Sequence, residues 1–95
     1  MLFVWLGFLK EGAEPDQQVQ QETNQFLVQP YMPIRAAGAL RDPQGKRAAM
    51  MMMFEVDDRA RAEAFVAGSP YLNAGLYESH HLFEFECGLN FFYAV

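Results

Sequence analysis

The segment of this sequence with the most groups capable of chemistry is residues 67–73, Ala-Gly-Ser-Pro-Tyr-Leu-Asn. A serine such as Ser69 acts as a nucleophile only beside a general base and an oxyanion hole. No Gly-x-Ser-x-Gly elbow surrounds it, and Cys87, the other candidate nucleophile, has no basic activator close in sequence. Ser69 therefore has three open interpretations: a turn cap with Tyr71 in the core, a binding group, or a catalytic group with altered partners.

The side chains most able to bind a metal ion are those of two adjacent histidines and four consecutive methionines. Neighbouring residues of a strand point to opposite faces, so neither His80 with His81 nor the methionines at 50–53 converge as a set. Zinc requires three or four ligands, and the chain has no His-x-His or Cys-x-x-Cys spacing. Since glycine-rich phosphate loops are absent too, we expect neither a metal site nor a cofactor. His80, near the start of its strand, stays a candidate proton carrier.

Composition narrows the class of protein and its partners. The 95 residues suffice for one domain, and 52% of them are apolar, as in a globular protein. The net charge of −5 disfavours nucleic acid and anionic membrane surfaces as partners. A single cysteine excludes an intramolecular disulfide and fits a protein of the reducing cytoplasm.

Hydrophobic periodicity divides the chain into six elements that must position these groups. Apolar patterns at 1–9, 34–40, 48–56 and 76–87 predict four strands. Helical spacing predicts one helix that begins at Pro15 or Asp16 and a second that begins at Asp57 or Asp58. Arg-Asp-Pro-Gln-Gly-Lys, between the second and third strands, matches a type I turn. The order βαββαβ is the ferredoxin-like arrangement, an α+β fold with a four-stranded antiparallel sheet over residues 1–87.

The first and third strands, which this topology places in the middle of the sheet, are apolar on both faces. Two helices cover only one face, and a large uncovered apolar face is rare on a monomer. We therefore expect a homodimer in which two sheets stack face to face. The apolar segment 88–95, Gly-Leu-Asn-Phe-Phe-Tyr-Ala-Val, is expected to pack on the partner subunit or to add a strand to a sheet edge.

The chain resembles the YCII-related, or YciI-like, family in several stretches. These are Phe-Val-Trp-Leu-Gly-Phe near the start, Ala-Ala-Gly-Ala-Leu at 36–40, and above all residues 55–77, where an Asp precedes a helix rich in Glu and Ala and then Ser-Pro-Tyr and Ala-Gly-Leu. The resemblance covers residues 1–86. It implies a small dimeric α+β protein with a ferredoxin-like core, of the dimeric α+β-barrel group.

The same resemblance implies an active site that this chain lacks. Family members pair a histidine of the first helix with the Asp of an Asp-Pro-Tyr motif, a combination suited to acid/base chemistry. Here Ser69 stands at the Asp position, and Gln21 or Asn24 stands at the His position. Residues 10–33 contain no histidine, so the acid/base pair cannot be carried over to this chain.

Without the acid/base pair, the remaining hydroxyl and amide side chains can still line a neutral polar pocket that apolar side chains cover. We expect a small-molecule binding or accessory protein whose ligand is small and polar or aromatic. One alternative is a cofactor-free lyase, isomerase or oxygenase that uses Tyr71 or His80 as acid/base, with Arg35 holding an anionic substrate. Another is a protein-interaction module that uses the C-terminal segment. The pocket candidates are Ser69, Tyr71, Gly38, Arg35, Gln21, Asn24 and His80.

Overall fold

A computed structural model describes residues 1–89 of the chain. Its strands are β1 (Leu2–Leu9), β2 (Ile34–Arg41), β3 (Arg47–Glu55) and β4 (Tyr77–Phe85), and its helices are α1 (Gln17–Leu27), α2 (Arg59–Val66) and α3 (Pro70–Asn73). The segment expected to pack on a partner, residues 88–95, lies outside the described residues from position 90 onward. Among residues 1–89, no helix is both long and apolar enough to cross a membrane.

The sheet has the predicted topology. Its four strands run antiparallel in the order β2-β3-β1-β4, which places the two most apolar strands in the middle. With the helices inserted between strands as predicted, this is the ferredoxin-like α+β fold. Each central strand has a neighbour on both sides, so its backbone groups pair within the sheet, while its two apolar faces depend on layers above and below the sheet for cover.

Aspartates begin both long helices, as the sequence predicts. The Asp16 carboxylate accepts a hydrogen bond from the Val19 amide at 2.8 Å, and the Asp58 carboxylate accepts one from the Arg61 amide at 2.8 Å. Each bond satisfies an amide that has no partner inside its helix. The caps therefore set where α1 and α2 start above the sheet.

The third helix was not predicted. The segment after Ser69 forms one short helical turn, α3, where the sequence indicated only a turn. Proline at the first helical position is favoured because its fixed φ suits the helix and its missing N–H needs no partner. This turn places Tyr71 against the sheet.

The core lies between the sheet and the helices. Phe3, Trp5, Met52 and Phe54 point to that side and are almost completely buried. The opposite side of the sheet, which we call the outer face, is also apolar but is far more exposed. Phe8, Leu40, Phe83 and Phe85 lie there with exposed fractions of 41, 43, 53 and 39%.

Candidate functional site

A cavity of about 90 Å³ lies between the sheet and α1, beside α3. Since one water occupies about 30 Å³ of liquid volume, this space as it stands has room for about three waters. We call it the ring cavity. Its apolar walls are Trp5, Phe26, Met50, Met51, Met52 and Tyr77, and its hydroxyl groups, besides the Tyr77 phenol, belong to Thr23, Ser69 and Tyr71.

Ser69 lines this cavity and also caps α3. Its side chain is almost fully buried, and its Oγ accepts a hydrogen bond from the Leu72 amide at 3.5 Å. A bond of that length is weak, so the capping role leaves the hydroxyl able to turn toward another partner. The turn-cap and pocket interpretations of Ser69 are therefore compatible.

Tyr71 is 3% exposed and contacts the first helix through its hydroxyl. The hydroxyl donates toward Gln20 Oε1 at 3.5 Å, and Gln20 Nε2 donates to Asn24 Oδ1 at 3.2 Å. Gln21 and Asn24 themselves are exposed and do not line the ring cavity. The amide that reaches the Tyr71 side of the cavity comes from Gln20.

Tyr77 and Trp5 form the aromatic wall of the ring cavity. Their rings meet edge to face with centroids 5.5 Å apart, and the Tyr71 ring lies 5.9 Å from that of Tyr77. Burial raises the pKa of the Tyr77 phenol well above its usual range, and the neighbouring Tyr71 phenol raises it further. Tyr77 is therefore a neutral hydroxyl at physiological pH.

His80 and Arg35 lie outside the ring cavity. The Trp5 indole Nε1 donates a hydrogen bond to His80 Nδ1 at 3.1 Å. His80 is exposed and contacts the edge of Trp5 that lies away from the ring cavity. Arg35 pairs with Glu55 at 2.6 Å in a partly exposed ion pair. Gly38, opposite Met51 on β2, does line the ring cavity.

Among the residues that the structure describes, none of those lining the ring cavity has an acidic, basic or histidine side chain. Over residues 1–89, no three His, Cys, Asp or Glu side chains come together as a metal-binding group. What the ring cavity can do is enclose an apolar ring and exchange hydrogen bonds through hydroxyl groups.

Sequence reasoning missed three of the residues that shape this site, Trp5, Tyr77 and Gln20. Gln20 precedes Thr23 by three residues and Leu27 by seven, so helical spacing places all three on one face of α1. That signal was available in the sequence. For Trp5 and Tyr77 the sequence predicts only that they belong to strands, because no motif in the neighbouring residues indicates a cavity.

Comparison with known families identifies the chain. The sequence model of the YCII-related domain family matches residues 1–86. This chain belongs to the YCII-related domain family. Within this YCII-related chain, the serine in place of the expected carboxylate and the absence of histidine from α1 leave the ring cavity without an acid/base pair.

Solved structures support the fold. One is 5-chloro-2-hydroxyhydroquinone dehydrochlorinase (TftG) from Burkholderia phenoliruptrix AC1100, solved in complex with 2,5-dihydroxybenzoquinone. TftG is 16% identical to this chain and has a TM-score of 0.68, with 93% of this chain and 96% of that chain covered. Another is an uncharacterized NIPSNAP domain protein from Burkholderia xenovorans, 14% identical over 95% of this chain and 99% of that chain, with a TM-score of 0.51. No curated protein matches the chain. At these identities the likeness supports the ferredoxin-like α+β fold alone.

Proposed function

We propose that this YCII-related protein binds a small planar ring compound with hydroxyl or carbonyl substituents in the ring cavity. The observation that carries this proposal is the make-up of the cavity wall, which combines aromatic rings, flexible thioethers and hydroxyls and has no charged group. Aromatic walls favour stacking on a ring, and hydroxyls both donate to and accept from its substituents. Methionine side chains adapt their shape, so the ring cavity can widen around a ligand.

The positions of the titratable groups favour binding over acid/base catalysis. His80, the candidate proton carrier, does not line the ring cavity, and neither does Arg35, the candidate anchor for an anionic substrate. Ser69 carries no charge near neutral pH, and the raised pKa of Tyr77 keeps that phenol protonated. A catalytic role would have to rest on Tyr71, whose hydroxyl only weakly contacts Gln20.

The ligand class has support from one structural neighbour. TftG was solved with 2,5-dihydroxybenzoquinone, a six-membered ring with oxygen substituents. A ring of that kind is the shape that aromatic walls and hydroxyl groups suit. The shared fold supports the proposal that this architecture accommodates such a molecule.

We further propose that two copies stack through their outer faces into a homodimer. Support comes from the exposed phenylalanines on that face, which in an isolated chain would meet water. The exposed, unpaired thiol of Cys87 fits a reducing compartment such as the cytoplasm.

Phenol is a direct probe of the proposed function, because the chain contains one tryptophan and it lines the ring cavity. Titration with phenol is expected to shift the single indole N–H resonance of Trp5 in a saturable way. Tyr71→Phe removes one hydroxyl while keeping the ring, so we expect phenol affinity to fall about threefold to tenfold, the value of one hydrogen bond.

Tyr31→Phe is the matched control, because Tyr31 is 88% exposed and lies outside the ring cavity. It makes the same chemical change and should leave phenol affinity unaltered. Absence of any saturable shift of the Trp5 resonance up to the solubility limit of phenol would refute ring binding at this site.

A further inference from the structure

A second cavity, of about 400 Å³, lies where the β2–β3 hairpin meets the β1–α1 loop. Three cationic side chains line it, from Arg41, Lys46 and Arg47, against one carboxylate, from Glu14. We call it the basic cavity. Its volume falls within the range of small-molecule sites.

The cations of the basic cavity differ from most other cations of the chain because, in the part of the chain that the structure describes, they form no ion pair. Of the seven lysines and arginines, Arg35, Arg59 and Arg61 form ion pairs with acidic side chains. Within residues 1–89, the other four form no ion pair, and three of those four line the basic cavity. An acidic protein thus leaves its unpaired positive charge concentrated at one place.

The hairpin holds two of these cations against each other. Arg41 and Arg47 are directly opposite in the β2–β3 ladder, and like charges at such positions are destabilising. The carboxylate nearest in sequence, that of Asp42, instead accepts hydrogen bonds from the Gln44 and Lys46 amides at 2.9 Å each. An anion bound between the two arginines would relieve their repulsion.

The geometry of the hairpin also restrains Arg41. A hydrogen bond from the Gly45 amide to the Asp42 carbonyl, 2.9 Å long, closes the turn, and Gly45 supplies the positive φ of 82° that follows it. Arg41 Nη1 donates to the Gly45 carbonyl at 2.7 Å. A guanidinium held in this way loses less freedom when it binds a carboxylate.

The basic cavity and the ring cavity are neighbours, since Tyr71 lines both. We propose that the natural ligand is a ring compound with a carboxylate on a short side chain: the ring occupies the ring cavity and the carboxylate binds Arg41, Lys46 and Arg47. This inference rests on the proposed function and specifies its ligand class. Arginine suits the role because its planar fork matches a carboxylate.

The experiment compares phenol with 4-hydroxyphenylacetate, which has the same ring with a carboxylate on one methylene. Calorimetry and the Trp5 indole resonance are both followed at low ionic strength. The acid is expected to bind about tenfold more tightly than phenol, because charge-assisted hydrogen bonds are the strong ones. Added salt should reduce the affinity for the acid and leave that for phenol unchanged, since exposed charges are screened.

Arg47→Gln is expected to reduce the advantage of the acid severalfold without altering phenol binding, because Arg41 and Lys46 remain. Lys10→Gln is the matched control, because it removes the same charge from another unpaired cation outside the basic cavity. Arg47→Gln also removes the repulsion with Arg41, so thermal unfolding of this variant at or above the wild-type temperature checks that it folds.

The outcomes separate the two proposals. Equal affinities for phenol and the acid, or an advantage of undiminished size in Arg47→Gln, overturn the inference while leaving ring binding intact. If neither compound shifts the Trp5 resonance, the ring-binding proposal fails and the inference fails with it. An advantage that falls in Arg47→Gln and is kept in Lys10→Gln supports the inference.

Discussion

Tyr77 is the residue whose acid/base behaviour the fold changes most clearly among those described. Its ring packs between Trp5 and Tyr71, and burial disfavours the phenolate. The folded chain therefore keeps the proton of Tyr77 at a pH where the unfolded chain loses it. This difference in proton binding makes the stability of the protein depend on pH in the alkaline range.

Stability is expected to fall as pH rises above about 10, the ordinary pKa of tyrosine. Below that pH both states hold the proton, and above it only the folded state does, so unfolding is favoured. The slope due to Tyr77 should be less than about 1.4 kcal/mol per pH unit, because a half-buried ring is partly screened by solvent. Urea unfolding of the wild type and Tyr77→Phe between pH 8 and 11 measures this slope.

Tyr77→Phe should flatten the alkaline decline of the free energy of unfolding, whereas Tyr31→Phe should not. Tyr31→Phe is the matched control, because it makes the same chemical change at a residue that is 88% exposed and lies outside the aromatic wall. Identical pH profiles for wild type and Tyr77→Phe would show that the phenol is not protected by burial.

At the scale of elements, β1 and β4 meet around a glycine that makes room for the aromatic wall. Gly7 is buried in β1, and a Cβ added there would overlap atoms of the Tyr77 ring. The absence of a side chain at this position therefore lets Tyr77 pack beside Trp5. Residue size in one strand thus determines the shape of a cavity whose other walls come from α1, α3, β2 and β3.

Gly7→Ala is expected to destabilise the protein by about 1–3 kcal/mol, the typical cost of overpacking. The ring of Tyr77 must move, so phenol affinity should change too. Chemical unfolding and the phenol titration measure the two effects.

Gly38→Ala is the control for stability, because a Cβ at Gly38 meets no atom within 4 Å. It lies in the same sheet, and we expect a change within about 0.5 kcal/mol. Equal unfolding free energies for the two alanine variants would mean that Tyr77 does not need the space above Gly7.

At the scale of the whole molecule, the two faces of the sheet differ in how much apolar surface they expose. The face under the helices is dry within a single chain, as the 4% exposure of Trp5 shows. None of the helices formed by residues 1–89 covers the outer face, and Phe83 there is 53% exposed. A second copy stacked on this face would bury that surface, which is the basis of the homodimer proposal.

Phe83→Asp is expected to convert the proposed dimer to monomer, because a carboxylate on a stacked apolar face would lose its hydration without a partner. Sedimentation at low micromolar concentration measures the mass in solution. Tyr31→Asp places the same charge at an exposed position outside the sheet and should leave the mass unchanged. A wild-type chain that sediments as a monomer would contradict the proposed dimer.

The sequence alone determined the fold of this protein. Alternation and apolar runs are local properties, so the four strands, the two capped helices and the place of β1 and β3 in the sheet could be read from them. The resemblance at residues 55–77 likewise led to the family that the comparison establishes. Both kinds of signal lie in short stretches of chain.

Only the tertiary structure decided which side chains share a cavity. Trp5 and His80 are 75 residues apart and hydrogen-bonded, and that contact keeps the imidazole outside the ring cavity. Helical spacing places Gln20 on the same face of α1 as Thr23 and Leu27, but only the packing of that face brings Gln20, rather than Gln21 or Asn24, to Tyr71. Side-chain contacts between distant elements depend on packing, and packing is a property of the whole chain that no local pattern encodes.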